Sequence, residues 1–237
     1  MRKCYGTNDA LMESLDTTKE VKQIMKYIDR GHFTDHIDRY CDKPVPLSNN
    51  QTISAPHMHA MALEYMYPNL KPGAIVLDVG SGSGYLTACM GYLVNVFSPN
   101  RKNRGKVTGI EVYKSLINYS IRKTEANFSE LFTYPSCYNF VHGSGWDGYP
   151  KKSKKEKYDV IHVGAAAEAI PIYLLHQLKV NGIMVLPLLV NKDKGHVLCV
   201  IKKDKKHNIR LELRESVRFV PLVHTMPDPV IEHGIKI

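Results

Sequence analysis

The residues best suited to chemistry in this chain are one glycine-rich run and two acids. The run is Asp78-Val79-Gly80-Ser81-Gly82-Ser83-Gly84-Tyr85, and it follows the apolar stretch Ala74-Ile75-Val76-Leu77. Glycine permits a tight turn and lets a ligand come close to the backbone. A helix that starts just beyond such a turn offers unpaired N–H groups and a positive dipole end. A dinucleotide-binding loop reads GxGxxG; here the spacing is GxGxG, and Tyr85 stands where the third glycine would be. Asp78 would sit badly beside a pyrophosphate but suits a ligand with positive charge. Glu111 ends the next apolar stretch, Val107-Thr108-Gly109-Ile110, where a carboxylate can accept from both hydroxyls of a ribose. Loop and acids together fit a nucleoside with a cationic amino-acid tail, such as S-adenosylmethionine. A plain strand-to-helix turn explains neither the three glycines nor the acids at strand ends.

These groups need strand ends beneath them, and the chain supplies a suitable pattern. Short apolar runs at 74–79, 107–112, 138–141, 158–163 and 182–188 read as buried strands. Helical stretches at 85–97, 116–128 and about 170–178 separate most of them. Near-continuous apolar strands alternating with helices predict a doubly wound, mostly parallel sheet of the α/β class. Two further strands, 196–203 and 209–223, have no helix between them and are expected to pair antiparallel at one edge. Residues 1–70 read as a helical arm. Val21, Ile24, Met25 and Ile28 share one helix face, capped by Thr17 or Thr18. A second helix is expected after Pro56. The organisation is one domain over 1–237: an arm (1–70), a cofactor-binding core (71–223) and a tail (224–237).

Composition narrows the function classes. The chain has 237 residues, 43% hydrophobic and 23% charged, which fits an ordinary globular domain. No apolar run approaches the roughly 18 residues needed to cross a bilayer, and the first residues lack a signal peptide's apolar core. The five cysteines contain no CxxC pair and are read as reduced packing residues of a cytoplasmic protein. The net charge of +9 gathers in clusters at 101–104, 151–155 and 202–206. No aromatic residues interleave with them as a nucleic-acid stacking platform requires, so they are read as solvated loops.

Ahead of the glycine loop lies Gln51-Thr52-Ile53-Ser54-Ala55-Pro56-His57-Met58-His59-Ala60. From position alone, Ser54 before a proline-opened helix reads as an N-cap. His57 and His59 lack the companion ligands of a metal site, and no metal is expected.

The glycine loop closely resembles motif I of class I S-adenosylmethionine-dependent methyltransferases, a Rossmann-like fold. The 51–60 stretch resembles the signature ahead of motif I in protein-L-isoaspartate (D-aspartate) O-methyltransferases. Tyr158-Asp159-Val160-Ile161-His162-Val163-Gly164-Ala165-Ala166-Ala167 resembles their fourth-strand motif, and Leu178–Gly182 and Val220–Leu222 also match. The resemblance spans roughly residues 10–223. It implies methylation of the α-carboxylate of L-isoaspartyl, and more weakly D-aspartyl, residues in damaged proteins and peptides. The ester then collapses to a succinimide, which hydrolyses partly to aspartate. It also implies a role for Ser54 in orienting the substrate carboxylate, reversing the cap reading, and a role for His59 in closing over the cofactor. The cofactor set is Gln51, Thr52, Ile53, Ser54, His59, Asp78, Gly80, Ser81, Gly82, Glu111, Val112, Ser144 and Gly145. Ala55, Val223 and Thr225 are candidates for substrate contact. The expected partners are isoaspartyl proteins, not membrane or nucleic acid, and the expected state is a monomer.

The chemistry agrees. A carboxylate with a pKa of about 4 is already ionised at neutral pH and needs no general base. The fourth-strand end, Val163-Gly164-Ala165-Ala166, lacks the Asn/Asp-Pro-Pro-Tyr that amine methylases use. Two departures stand out. Gly143-Ser144-Gly145 replaces the family's Gly-Asp-Gly, with Asp147 nearby as a substitute acceptor for the adenine amine. Val223 and His224, then Thr225, follow Val220-Pro221-Leu222, where the family often has a hydroxyl. Two other readings compete: an RNA or small-molecule methyltransferase on this fold, and a binding module that keeps the cofactor pocket and holds nucleic acid.

Overall fold

The computed structural model describes residues 3–191 and 195–223. The arm opens with α1 (Asn8–Ser14) and α2 (Lys19–Tyr27). The Thr18 side chain accepts from Val21 N, so the expected cap is the second of the two threonines. A two-stranded ribbon follows, β1 (Val45–Pro46) against β2 (Thr52–Ile53), and leads into α3 (Pro56–Met66). Pro56 takes the first helical position, where the missing N–H costs nothing.

The core then alternates β3 (Ile75–Val79), α4 (Tyr85–Leu93), β4 (Lys106–Glu111), α5 (Lys114–Asn127), β5 (Tyr138–His142), β6 (Tyr158–Val163), α6 (Ile172–Gln177) and β7 (Leu178–Asn191). β8 (Gly195–Lys203) and β9 (Ile209–Val217) complete it. The sheet order is β5-β4-β3-β6-β7-β8-β9, parallel through β7 and antiparallel beyond. This is the expected architecture. The strand order reverses between β3 and β6, so a crevice opens beyond their carboxyl ends.

Side-chain alternation divides the core between the two sheet faces. Val76 joins Val107, Val160 and Val185 under α2, α3 and α4, through Met25, Leu63, Met66 and Met90. Leu77 and Val79 face the other way, with Ile161, Val163 and Met184 against Leu174 of α6. Each such side chain, taken wholly out of water, stabilises the fold by about 1.5–3 kcal/mol.

Several expectations are corrected. Helix α4 stops at Leu93 rather than 97, where Asn95 takes a left-handed φ of 60°. Helix α6 is shorter than expected because Pro171 precedes its first turn. Strand β9 ends at Val217 rather than 223. The chain beyond it leaves the edge and crosses to the crevice, where Pro221 bridges Ala166 in parallel. Cys4 and Cys41 are not reduced. They face each other across an antiparallel bridge, 37 residues apart in sequence, and form a disulfide; Cys89, Cys137 and Cys199 are free and buried. Lys203 is no solvated loop residue. Its ammonium is buried and bonds Glu156 Oε1 at 3.0 Å and the Leu178 carbonyl.

Candidate active site

Strand β3 delivers the glycine loop to the crevice. Gly80, Gly82 and Gly84 all have positive φ, of 72°, 54° and 85°. Gly84 also N-caps α4, and a Cβ there would lie 2.9 Å from Ser120 Cβ. Across the crevice, Gly164 N donates to Val79 O at 2.7 Å, and a Cβ on Gly164 would press on Gly80 O at 3.0 Å. The two strand ends meet this closely because Gly164 carries no side chain, while Gly80 is required for its positive φ.

Three neighbouring spaces surround this point. A cleft is lined by Gln51, Thr52, Gly80, Gly82, Glu111, Val112, Gly145 and Val223, among others. A small hollow lies at the loop itself, bounded by Thr52, Ile53, Ser54, His59, Asp78, Ser81 and His162. A larger open groove runs past Ser54, Ala55, His57, His196 and Arg218. Thr52 and Gly164 border all three, and Ser54 borders both hollow and groove.

The electrostatics of the two acids differ from the simplest expectation. Asp78 is 1% exposed and already engaged. One oxygen accepts from Thr87 Oγ1 at 2.5 Å and the other lies 2.7 Å from His162 Nδ1. Asp78 therefore fixes the imidazole of His162 at the hollow's wall. Glu111 ties the site together. Its Oε2 accepts from Gly82 N at 3.0 Å, and its Oε1 accepts from Val112 N and Tyr113 N at 2.8 and 3.2 Å. Burial pushes its carboxyl above the ordinary range, although these backbone donors pull it down.

Two buried polar atoms at the hollow, Ser81 Oγ and His59 Nδ1, have no partner within the described protein. Buried polar groups are normally satisfied, so these two fit a ligand with donors and acceptors of its own. Burial, with the Arg30, His162 and His57 charges, holds the His59 pKa well below its ordinary value. A depressed histidine contributes fully above the unfolded-chain pKa of about 6.5. Below that, the unfolded chain takes a proton that the fold refuses. Stability should fall as pH drops from 7 to 5, with a slope of up to about 1.4 kcal/mol per unit from this residue. Melting curves across that range for wild type and His59→Gln check this: the variant should lose that part of the slope, and parallel curves would contradict it.

Some expected residues are used otherwise. Ser54 is not the N-cap: Ala55 holds that position without a side-chain bond. Asp42 instead reaches α3, with Oδ1 accepting from His57 N at 3.0 Å and lying 2.7 Å from His57 Nδ1. The Ser144 hydroxyl accepts from Trp146 N and donates to Val223 O, both at 3.3 Å. Gly143 and Gly145, its neighbours, line the cleft in its place. Asp147 pairs with Lys151 at 3.2 Å and is not among the cleft-lining residues. Thr225 lies outside the described residues.

Comparison with known proteins settles the family. The model of the family protein-L-isoaspartate(D-aspartate) O-methyltransferase matches residues 7–226. The chain belongs to that family. It is 38% identical to protein-L-isoaspartate O-methyltransferase 1 of Arabidopsis thaliana, with 91% of this chain and 90% of that protein covered. It is 35% identical to protein-L-isoaspartate O-methyltransferase of Caenorhabditis elegans, with 93% and 94% covered. Among solved structures it superposes with a TM-score of 0.83 on a Plasmodium falciparum protein described as a putative family enzyme in complex with S-adenosyl-L-homocysteine. That pair is 34% identical and covers 92% of this chain and 99% of the other.

The matched span contains the glycine loop, Glu111 and the 51–60 segment. Sequence reasoning missed His162, which lines the hollow, and Asp42 and Arg30, which contact the 53–57 segment from outside it. His162 had a usable signal, since it precedes the glycine at the β6 end by two residues and so shares the strand face of Gly164. Asp42 lies in irregular chain and Arg30 opens a single 3₁₀ turn, Arg30–Phe33, so neither carries a periodic pattern.

Proposed function

We propose that this protein is a repair methyltransferase, which moves a methyl group from S-adenosylmethionine to the α-carboxylate of L-isoaspartyl and, more weakly, D-aspartyl residues. The observation that carries the reading is Ser54, poised between the glycine-loop hollow and the open groove. When bound, S-adenosylmethionine supplies an electrophilic methyl on a sulfonium. The cleft residues Gln51, Thr52, Val112, Gly145 and Val223 would hold its nucleoside, and Glu111 would accept from the ribose. Ile53, His59, Asp78, Gly80, Ser81 and Gly82 would surround its amino-acid part. Asp78 would act there through charge and through His162. The glycines of the Ser144 turn would border the adenine.

The Ser54 hydroxyl donates to the incoming carboxylate and sets its angle of approach. No proton need be removed, so positioning is the main catalytic work. Ala55 and Val223 flank the substrate backbone. The groove is open, and its described lining includes Arg218 and no carboxylate, while His57 is matched by Asp42 behind it. That charge balance favours an anionic substrate over an amine. The product ester then closes to a succinimide without further help, as the following backbone nitrogen attacks its carbonyl and methanol leaves with the amide proton. A cytoplasmic location and a monomeric state complete the proposal. Among the described residues no helix is long and apolar enough to cross a membrane.

Repair itself is testable. An isoaspartyl peptide kept with enzyme and excess S-adenosylmethionine should convert progressively to its aspartyl isomer, resolved by chromatography. Stable isoaspartate alongside labelled RNA would instead favour an RNA methyltransferase.

A further inference from the structure

The arm contains a fully buried arginine that the chemistry above leaves unused. Arg30 is 0% exposed. Among the described residues it has no ion pair. Instead its guanidinium donates to three carbonyls: Nε to Arg39 O at 3.1 Å, Nη1 to Ser54 O at 2.7 Å and Nη2 to Ile53 O at 3.4 Å. Burying an unpaired charge opposes folding unless hydrogen bonds compensate. Desolvation accordingly lowers its pKa to about 10.

Two of these carbonyls belong to the residues that turn β2 into α3. Asp42 holds the helix side of that turn at His57, and the ribbon holds Ile53, but Ser54 and Ala55 between them have no other side-chain support among the described residues. The ribbon ends at Ile53, Pro56 has no N–H, and Ala55 caps α3 without a side chain. We propose that Arg30 is a positioning residue for methyl transfer, whose guanidinium pins the Ile53–Ser54 backbone and so aims the Ser54 hydroxyl at the substrate carboxylate. The inference rests on the role given to Ser54 above. A planar fork can bridge adjacent carbonyls in one plane, whereas an ammonium cannot.

The test is a double-mutant cycle on the full chain with Arg30→Lys, Ser54→Ala and the pair. Initial rates on an isoaspartyl peptide, S-adenosylhomocysteine affinity and melting temperature are measured on each protein. Arg30→Lys should lower kcat by about 10- to 100-fold, since misplacing a group by ~1 Å costs on the order of a hundredfold. Cofactor affinity should fall by less than about threefold, because Ile53 is only one of the residues around the amino-acid part while Glu111 and the glycine loop belong to other elements. In the Ser54→Ala background the same change should cost less than about twofold, since the group being aimed is gone. Equal losses in both backgrounds, or cofactor affinity falling in step with kcat, would overturn the proposal. If Arg30→Lys melts below the assay temperature, Arg30→Gln repeats the cycle, as its amide can still donate to one carbonyl. The same two outcomes decide it. Should Ser54→Ala alone leave the rate intact, the role given to Ser54 fails, and Arg30 fails with it.

Discussion

Ser54→Ala is expected to lower turnover on an isoaspartyl peptide by on the order of a hundredfold while folding stability stays within about 0.5 kcal/mol. The two halves of this result have separate origins. A helix N-cap serine replaced by alanine would cost about 1 kcal/mol of stability. Here Ala55 is the N-cap, and Asp42 supports the helix start from outside, so that cost should not appear. The hydroxyl forms no hydrogen bond among the described residues, and its residue borders the hollow and the groove. Its loss should therefore be felt at the carboxylate and not in the fold. S-adenosylhomocysteine affinity should be nearly unchanged. Melting temperature, titration and initial rates on one preparation check all three. A lowered melting temperature with a near-normal rate would return Ser54 to a structural role.

Glu111→Ala is expected to weaken S-adenosylhomocysteine binding by about 1–3 kcal/mol, or roughly 5- to 150-fold in Kd. The carboxylate performs two tasks. Its three backbone bonds fix Gly82 relative to Val112 and Tyr113, and its buried charge faces the cleft where a ribose would lie. Charge-assisted bonds to a ligand hydroxyl are stronger than neutral ones. Glu111→Gln should fall between wild type and alanine, since the amide keeps one acceptor but loses the charge. Calorimetry on folded variants measures this. Unchanged affinity in Glu111→Ala would remove the residue from the site.

The parallel sheet was legible in the sequence because its strands are short, apolar and separated by helices. β3 and β6 begin and end within a residue of the expected limits. The glycine loop was legible because its spacing is local. Contacts made by residues distant in sequence were hidden. Asp78 reads as a ligand for a cation, yet it lies against His162, 84 residues away. Ser54 reads as a cap, yet the group that meets α3 is Asp42, 15 residues before His57. The Cys4–Cys41 disulfide joins residues 37 apart, and an odd cysteine count without a spacing motif gives no pairing. Ser144 stands in the place of an acid and was expected to serve as an acceptor. Its hydroxyl is taken up by Val223 and Trp146, a use that depends on the last segment crossing the crevice.

The proposed acceptor is the α-carboxylate of an isoaspartyl residue. The most direct measurement is transfer from methyl-labelled S-adenosylmethionine to two peptides of identical sequence, one with isoaspartate and one with aspartate. Base-labile methyl ester is expected on the isoaspartyl peptide and background on its partner. A site that fits one backbone and not the other discriminates through alignment, which can contribute about 7–11 kcal/mol at most. Equal labelling of both peptides, or labelling of neither by enzyme that binds S-adenosylhomocysteine, would contradict it.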